Sequence, residues 1–192
     1  MKKLFLFIVL ATMIMPAKVS AQETRWGVKG GFNIAQETTG DGSTDARVGI
    51  HLGGFMERPI GRGCDLQLEL LYSMQGGSNK IGSTTCTDKF DYLCLPVMFK
   101  IYVNKERRKF SIDVGPQLGY MVSAKYLEGS TSVSIYDNEG LNKFELGLGV
   151  GVSYKINDNF DLVMRFTGGL TKISEDYEHK NSGIQLGVGY RF

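Results

Sequence analysis

The chain has 192 residues, with 22 Lys and Arg against 20 Asp and Glu for a formal charge of +2, 25 glycines and 3 cysteines. Three of the basic residues, Lys2, Lys3 and Lys18, fall in the first 21 positions with no acidic residue beside them. Without that segment the balance is 19 basic against 20 acidic, or −1, so the charge gives no ground for nucleic-acid binding.

Lys2 and Lys3 open the chain, Leu4 to Met15 follow as an apolar stretch, and Val19-Ser20-Ala21 offers a small-residue cleavage site before Gln22. The apolar stretch is short of the ~20 residues that a spanning helix needs. Residues 1–21 therefore read as a secretory signal rather than a retained anchor. No cysteine follows the cleavage site, so a lipidated N-terminus is not expected. Residues 22–192 are long enough for one domain, and no change of composition divides them.

Eight runs of alternating polarity come next, each reading as a strand with two different faces. The first, Trp26 to Ile34, sets Trp26, Val28, Phe32 and Ile34 against Lys29, Gly31 and Asn33. Arg47 to Glu57 sets Val48, Ile50, Leu52 and Met56 against His51 and Glu57, with Phe55 out of step. Asp65 to Met74 sets leucines and Tyr72 against Asp65, Gln67, Glu69 and Ser73. Asp91 to Val103 sets Leu93, Leu95, Val97, Phe99 and Ile101 against Tyr92, Met98 and Lys100. Phe110 to Val122 sets Ile112, Val114, Leu118 and Tyr120 against Ser111, Asp113 and Gln117. Lys143 to Ile156 opposes six apolar residues to Glu145, three glycines and Ser153. Phe160 to Leu170 opposes Leu162, Met164 and Phe166 to Asp161, Arg165 and Thr167. The last run ends at Phe192, with Ile184, Leu186, Val188 and Tyr190 on its apolar face.

The runs are about as long as the ~9–11 residues with which a tilted strand crosses a bilayer. Their connections alternate. Long ones near 35–46, 75–90, 123–142 and 171–182 are separated by short ones at Arg58 to Cys64, Asn104 to Lys109 and Asn157 to Asn159. Short turns at one end and long loops at the other are the habit of outer-membrane barrels. The expectation is an all-β, eight-stranded, antiparallel, closed transmembrane barrel with both termini periplasmic. A soluble barrel would put its apolar set inside. Here the other face holds glycine, serine, threonine and paired charges, and aromatics lie near strand ends at Trp26, Tyr72, Tyr102, Tyr120, Tyr154 and Tyr190, as in an interfacial girdle. Pro96 and Pro116 interrupt strand runs, and local bulges are the expected accommodation.

Several stretches resemble the PorT-like outer-membrane β-barrel family of Bacteroidetes. They are Gly27-Val28-Lys29-Gly30-Gly31-Phe32-Asn33-Ile34, Leu68-Glu69-Leu70-Leu71-Tyr72-Ser73, Tyr92-Leu93-Cys94-Leu95-Pro96 with Lys100, Gly115-Pro116 and Gly187-Val188-Gly189-Tyr190-Arg191-Phe192. Cys94 departs from the pattern. The resemblance implies the same barrel over nearly the whole exported chain and no chemistry. Its founding member is linked to secretion and maturation of proteases, which would make a secretion-system protein one partner.

Lys29, Glu69, Lys100, Asp113, Glu145 and Arg165 share the inward face. They would form either a charged constriction or proton path, or a salt-bridge network filling the lumen of a narrow barrel. His51, with Glu57 and Glu69 as conceivable neighbours, would need a nucleophile and an orienting acid to act as a base. No serine lies within two residues of it, whereas His179 has Ser182 three residues on. Asp41, Asp45, Glu175, Asp176, Glu178 and His179 would bind calcium or bridge to lipopolysaccharide, or simply be solvated charge. If Cys64, Cys86 and Cys94 form a disulfide, the pair is Cys86 with Cys94, both placed toward the outer rim; three free thiols are the alternative. No catalytic, metal or cofactor site is expected. Three functions remain open: an interaction barrel working through its outer loops, a narrow pore, and a lipid-modifying enzyme, which the absent triad disfavours. Expected contacts are outer-membrane lipid and lipopolysaccharide, the assembly machinery through the C-terminal strand, and a surface protein.

Overall fold

The computed structural model describes residues 24–39, 42–81, 84–104, 106, 108–129, 131–136, 140–173 and 180–192. Residues 1–21, expected to be a secretory signal, lie outside them, as do Asp41, Glu175, Asp176, Glu178 and His179. Eight long strands form a wall: β1 Arg25–Thr39, β2 Asp45–Gly61, β3 Cys64–Gln75, β4 Thr84–Tyr102, β5 Phe110–Glu128, β6 Phe144–Lys155, β7 Phe160–Gly169 and β8 Lys180–Arg191. Each runs antiparallel to the next. β1 also pairs with β8, from Gly27 opposite Arg191 to Thr38 opposite Lys180, so the sheet closes on itself and the expected eight-stranded barrel is what the chain forms.

Parity decides which face each residue takes. On β5 every second side chain from Phe110 to Val122 is buried, while Phe110, Ile112, Val114, Leu118 and Tyr120 are exposed. An exposed apolar set with a buried polar one is the reverse of a soluble barrel, and it suits a wall that meets hydrocarbon. From Phe110 to Tyr120 is ten residue steps, and at ~3.3 Å each with a tilt near 40° they rise about 25 Å, the height of a lipid-facing band. Aromatics mark both rims of the band. Near the termini Phe160, Tyr190 and Phe192 pack with ring centroids 4.9 and 5.6 Å apart beside Trp26, and at the other rim Tyr120 meets Phe144 at 5.0 Å. Tyr102 does not join the girdle. It shares the parity of Lys100 on β4, so it points into the lumen and is only 2% exposed.

Phe55, out of step with its neighbours in polarity, also obeys parity and is buried inside. Glycines make its room: a Cβ on Gly27 would stand 2.4 Å from the Phe55 ring, and one on Gly189 3.5 Å. Gly53 serves the tight curvature, because a Cβ there would fall 1.9 Å from the Leu70 carbonyl oxygen of the neighbouring strand.

Pro96 and Pro116 are accommodated without bulges. Pairing of β3 with β4 lapses between Leu68–Val97 and Leu71–Cys94, across Pro96, and resumes in the same register. Pairing of β4 with β5 lapses between Pro96–Gln117 and Phe99–Val114, across Pro116, again with no shift. A proline removes one donor and leaves the geometry of a closed wall intact, so the ladder simply opens there. The register shifts lie elsewhere, at Asp91/Tyr92 and Pro59/Gly61.

The connections at the end away from the termini differ most from expectation. Much of 75–90 and 123–142 is sheet rather than loop. Gly77–Ile81 pairs with the first residues of β4, and Thr131–Ser134 turns back onto the end of β5. Beyond the hydrocarbon both faces of a strand meet water, so alternation is no longer needed and the sequence loses its strand signature there.

Candidate functional site

Two regions hold the residues that would carry chemistry or binding, namely the lumen and the end of the barrel remote from the termini. Side chains fill the lumen in layers. Nearest the termini, Glu57 Oε2 accepts from Lys100 Nζ at 3.1 Å and Arg191 Nη2 at 3.1 Å. Asp161 Oδ2 accepts from the same two cations at 3.3 and 2.8 Å. Lys155 approaches Glu57 at 3.7 Å. Asp65 takes the hydroxyl of Tyr102 at 3.1 Å and is ion-paired with Arg108, whose guanidinium lies 4.5 Å from the Tyr102 ring centroid.

In the middle, Glu69 is the hub. Arg165 grips it with two nitrogens at 2.6 and 3.0 Å, Lys29 donates at 2.9 Å, and Gln67 at 2.7 Å. Asp113 is bound by the hydroxyls of Ser111, at 2.7 Å, and Ser153. One level further on, His51 Nδ1 and Asn33 Oδ1 lie 2.8 Å apart, and Asn33 Nδ2 donates to Ser73 Oγ at 2.9 Å. Next comes an apolar cluster of Leu71, Phe90, Tyr92, Cys94, Met121 and Ala124, joined by Ile173 and packed against by Ile135, Tyr136 and Leu141. These last four come from the connections beyond β5 and β7, so the remote mouth is stoppered by its own loops. A gap beside Asn33, Ser73 and Gln185 measures about 10 Å³, space for one water at most.

Of the six inward charges expected from the sequence, Lys29, Glu69 and Arg165 meet in one cluster and Lys100 belongs to another. Asp113 is held by hydroxyls. Glu145 has no ion pair among the described residues; it accepts from Asn181 Nδ2 at 2.8 Å, and Asn181 also reaches Tyr92 at 3.1 Å. Glu57 is no neighbour of His51 but an anchor of the layer nearest the termini. The partners of that layer, Asp65, Asp161, Lys155, Arg108 and Arg191, were not singled out, although parity already placed Asp65, Asp161 and Arg191 on the inward face. The Cys86–Cys94 pairing is ruled out. Both residues lie on the continuous strand β4, so eight steps of ~3.3 Å hold them roughly 26 Å apart, and all three thiols are free.

A closed barrel, polar and packed within and apolar without, defines a small integral protein of the bacterial outer membrane. The family model for the outer membrane protein beta-barrel domain matches residues 20–175, and the chain belongs to that family. It resides accordingly in the outer membrane of a Gram-negative bacterium. Among solved structures it is similar to Neisserial surface protein A, with 17% identity, a TM-score of 0.63, and 87% of this chain and 97% of that one covered. It is also similar to Ail, the attachment invasion locus protein of Yersinia pestis, at 17% identity and a TM-score of 0.56, covering 88% and 99%. The same protein in complex with the heparin analogue sucrose octasulfate gives 18% identity and 0.54 over 88% and 99%. Such identities speak for the fold alone. No curated protein matches the sequence.

Proposed function

We propose that this protein is a non-enzymatic surface barrel that works through the end remote from its termini, while its lumen only holds the wall together. On this reading the termini are periplasmic, residues 1–21 are removed at export, and the remote end faces the exterior, in contact with lipopolysaccharide and a surface protein. The filled lumen carries the proposal. Glu69, Lys29, Arg165, Glu57, Lys100 and Arg191 are each at most 3% exposed and engaged with one another, and the apolar stopper closes the path above them, so the pore reading is disfavoured. Rigid scaffolds concentrate their binding residues on connections, where sequence changes cost little. Kinship to the PorT-like barrels, and with it a link to protein secretion, rests on the sequence resemblance.

The test is to replace 77–87 and 126–134 by short turns, which spares Phe90, Tyr92, Met121 and Ala124. The shortened protein should keep its heat-modifiable mobility and lose the partners that crosslink to the intact protein on cells. The intact protein should pass no steady current in a planar bilayer. A sustained ohmic conductance would overturn the proposal in favour of a pore.

A further inference from the structure

Past the lipid-facing band, four strands continue as a sheet in the order Gly77–Ile81, the start of β4, the end of β5, and Thr131–Ser134. Gly77 and Ser78 are also tied to β2 through Ala46 and Asp45, so that side of the sheet is anchored to the wall. The opposite side ends at Thr131–Ser134, whose four side chains are all exposed and whose outer edge pairs with no described residue.

The register fixes which backbone groups are free. Glu128 opposite Thr131 closes a two-residue turn, Tyr126 faces Val133, and Ile135 donates to the Ala124 carbonyl at 3.0 Å. In an antiparallel ladder, hydrogen-bonded and non-bonded pairs alternate. Thr131, Val133 and Ile135 therefore turn their N–H and C=O toward β5, and Ser132 and Ser134 turn theirs away from it. Edges are usually blunted by lysine, proline or an inward charge. This edge reads Thr-Ser-Val-Ser and, among the described residues, has only its shortness for protection.

We infer that Thr131–Ser134 receives an extended segment of a partner protein, which adds as a fifth strand to this sheet. The inference rests on the remote end being the exterior. The flanking chemistry specifies the segment. On the face shared by Ser132 and Ser134, Lys89 of β4 lies directly opposite Lys125 of β5. Like charges so placed repel, and an acidic side chain reaching over from an added strand relieves that repulsion. The other face carries exposed Val133 beside Tyr126. The fitting segment alternates acidic with apolar residues. A second copy in the same membrane does not fit. Rotation about the membrane normal brings two such edges together in parallel, which leaves only the weaker kind of ladder over four residues.

The probe is a fluorescent ten-residue peptide of alternating Glu and Val, titrated by anisotropy against the full-length barrel in lipid vesicles. It should bind, while a Lys/Val peptide of the same length binds at least tenfold more weakly. Ser132→Pro and Ser134→Pro each remove an outward donor and no bond to β5, so each should lower affinity at least tenfold with heat-modifiable mobility unchanged. Ser132→Ala should bind as the parent does. Equal binding of the two peptides, no binding of either, or indifference to both proline variants overturns the inference. Partners on cells separate the two readings: crosslinks that survive Ser134→Pro but vanish on loop shortening refute this edge and leave the remote-end function standing.

Discussion

Replacing Glu69 should injure the barrel more than replacing either cation it binds. Glu69 carries one negative charge among Lys29 and Arg165, both held within hydrogen-bond distance and all three almost wholly buried. In Glu69→Gln the two cations stay buried and face each other with no anion between them, and an uncompensated buried charge costs about 3–5 kcal/mol. In Arg165→Gln the Lys29–Glu69 pair remains neutral, and the loss is that of charged hydrogen bonds, about 1.5–3 kcal/mol. Trp26, the single tryptophan, sits exposed at the rim and reports when the wall leaves the bilayer. Urea unfolding in vesicles, followed by its emission, should therefore rank Glu69→Gln well below Arg165→Gln in midpoint at similar slope. Equal losses, or the opposite order, would show that charge balance within this cluster does not hold the lumen.

Leu148→Arg places a cation on the outward face of β6, where Leu148 is 48% exposed, and should cost about 2–4 kcal/mol near the midplane. Gly149→Ser, one position on and inward, should cost less, since it puts no charge in hydrocarbon and its Cβ would meet Arg165 Cδ at 3.3 Å and the end of Met98 at 3.4–3.5 Å; matching losses in vesicle refolding would mean the faces are reversed. Deleting Phe192, whose N–H donates to the Trp26 carbonyl at 3.0 Å, should leave aggregated or degraded chain on cell fractionation, and normal insertion would refute a role for that residue. A maleimide reagent should label Cys64 in the folded barrel and reach Cys86 and Cys94, both buried, only after unfolding. Mass spectrometry showing three labels on folded protein would contradict the burial.

The wall was legible because lipid on one side and a packed lumen on the other force every second residue to declare its face. Phe55, apolar at an inward position, and Tyr102, expected in the girdle, both sit where counting by two puts them. Partners were harder to read. Parity lists Glu57, Asp65, Asp161 and Arg191 as inward, but which meets which depends on the stagger between strands remote in sequence, and no local signal carries that. Of the two readings of the cysteines, the Cys86–Cys94 pair fails for a related reason, and three free thiols stand. Taking 75–90 as loop left Cys86 free to fold back toward Cys94, whereas β4 begins at Thr84 and holds them apart. The bulges expected at Pro96 and Pro116 were unnecessary because a ladder can lapse without shifting.

Joining β1 to β8 also sets when this chain can become a barrel at all. Before residues near 191 arrive, β1 and β7 each present a row of unsatisfied amides that hydrocarbon cannot accept. Glu57 and Asp161 have yet to meet Arg191, and Glu69 on β3 waits for Arg165 on β7. Lys29–Glu69 and Lys100–Glu57 can pair among the first four strands, but closure of the wall and the Arg165 and Arg191 contacts wait for the last two. Such dependence on contacts between the two ends of a chain makes folding slow. A chain closed this way cannot rest half-built in hydrocarbon, where the open edges of β1 and β7 would stay unsatisfied.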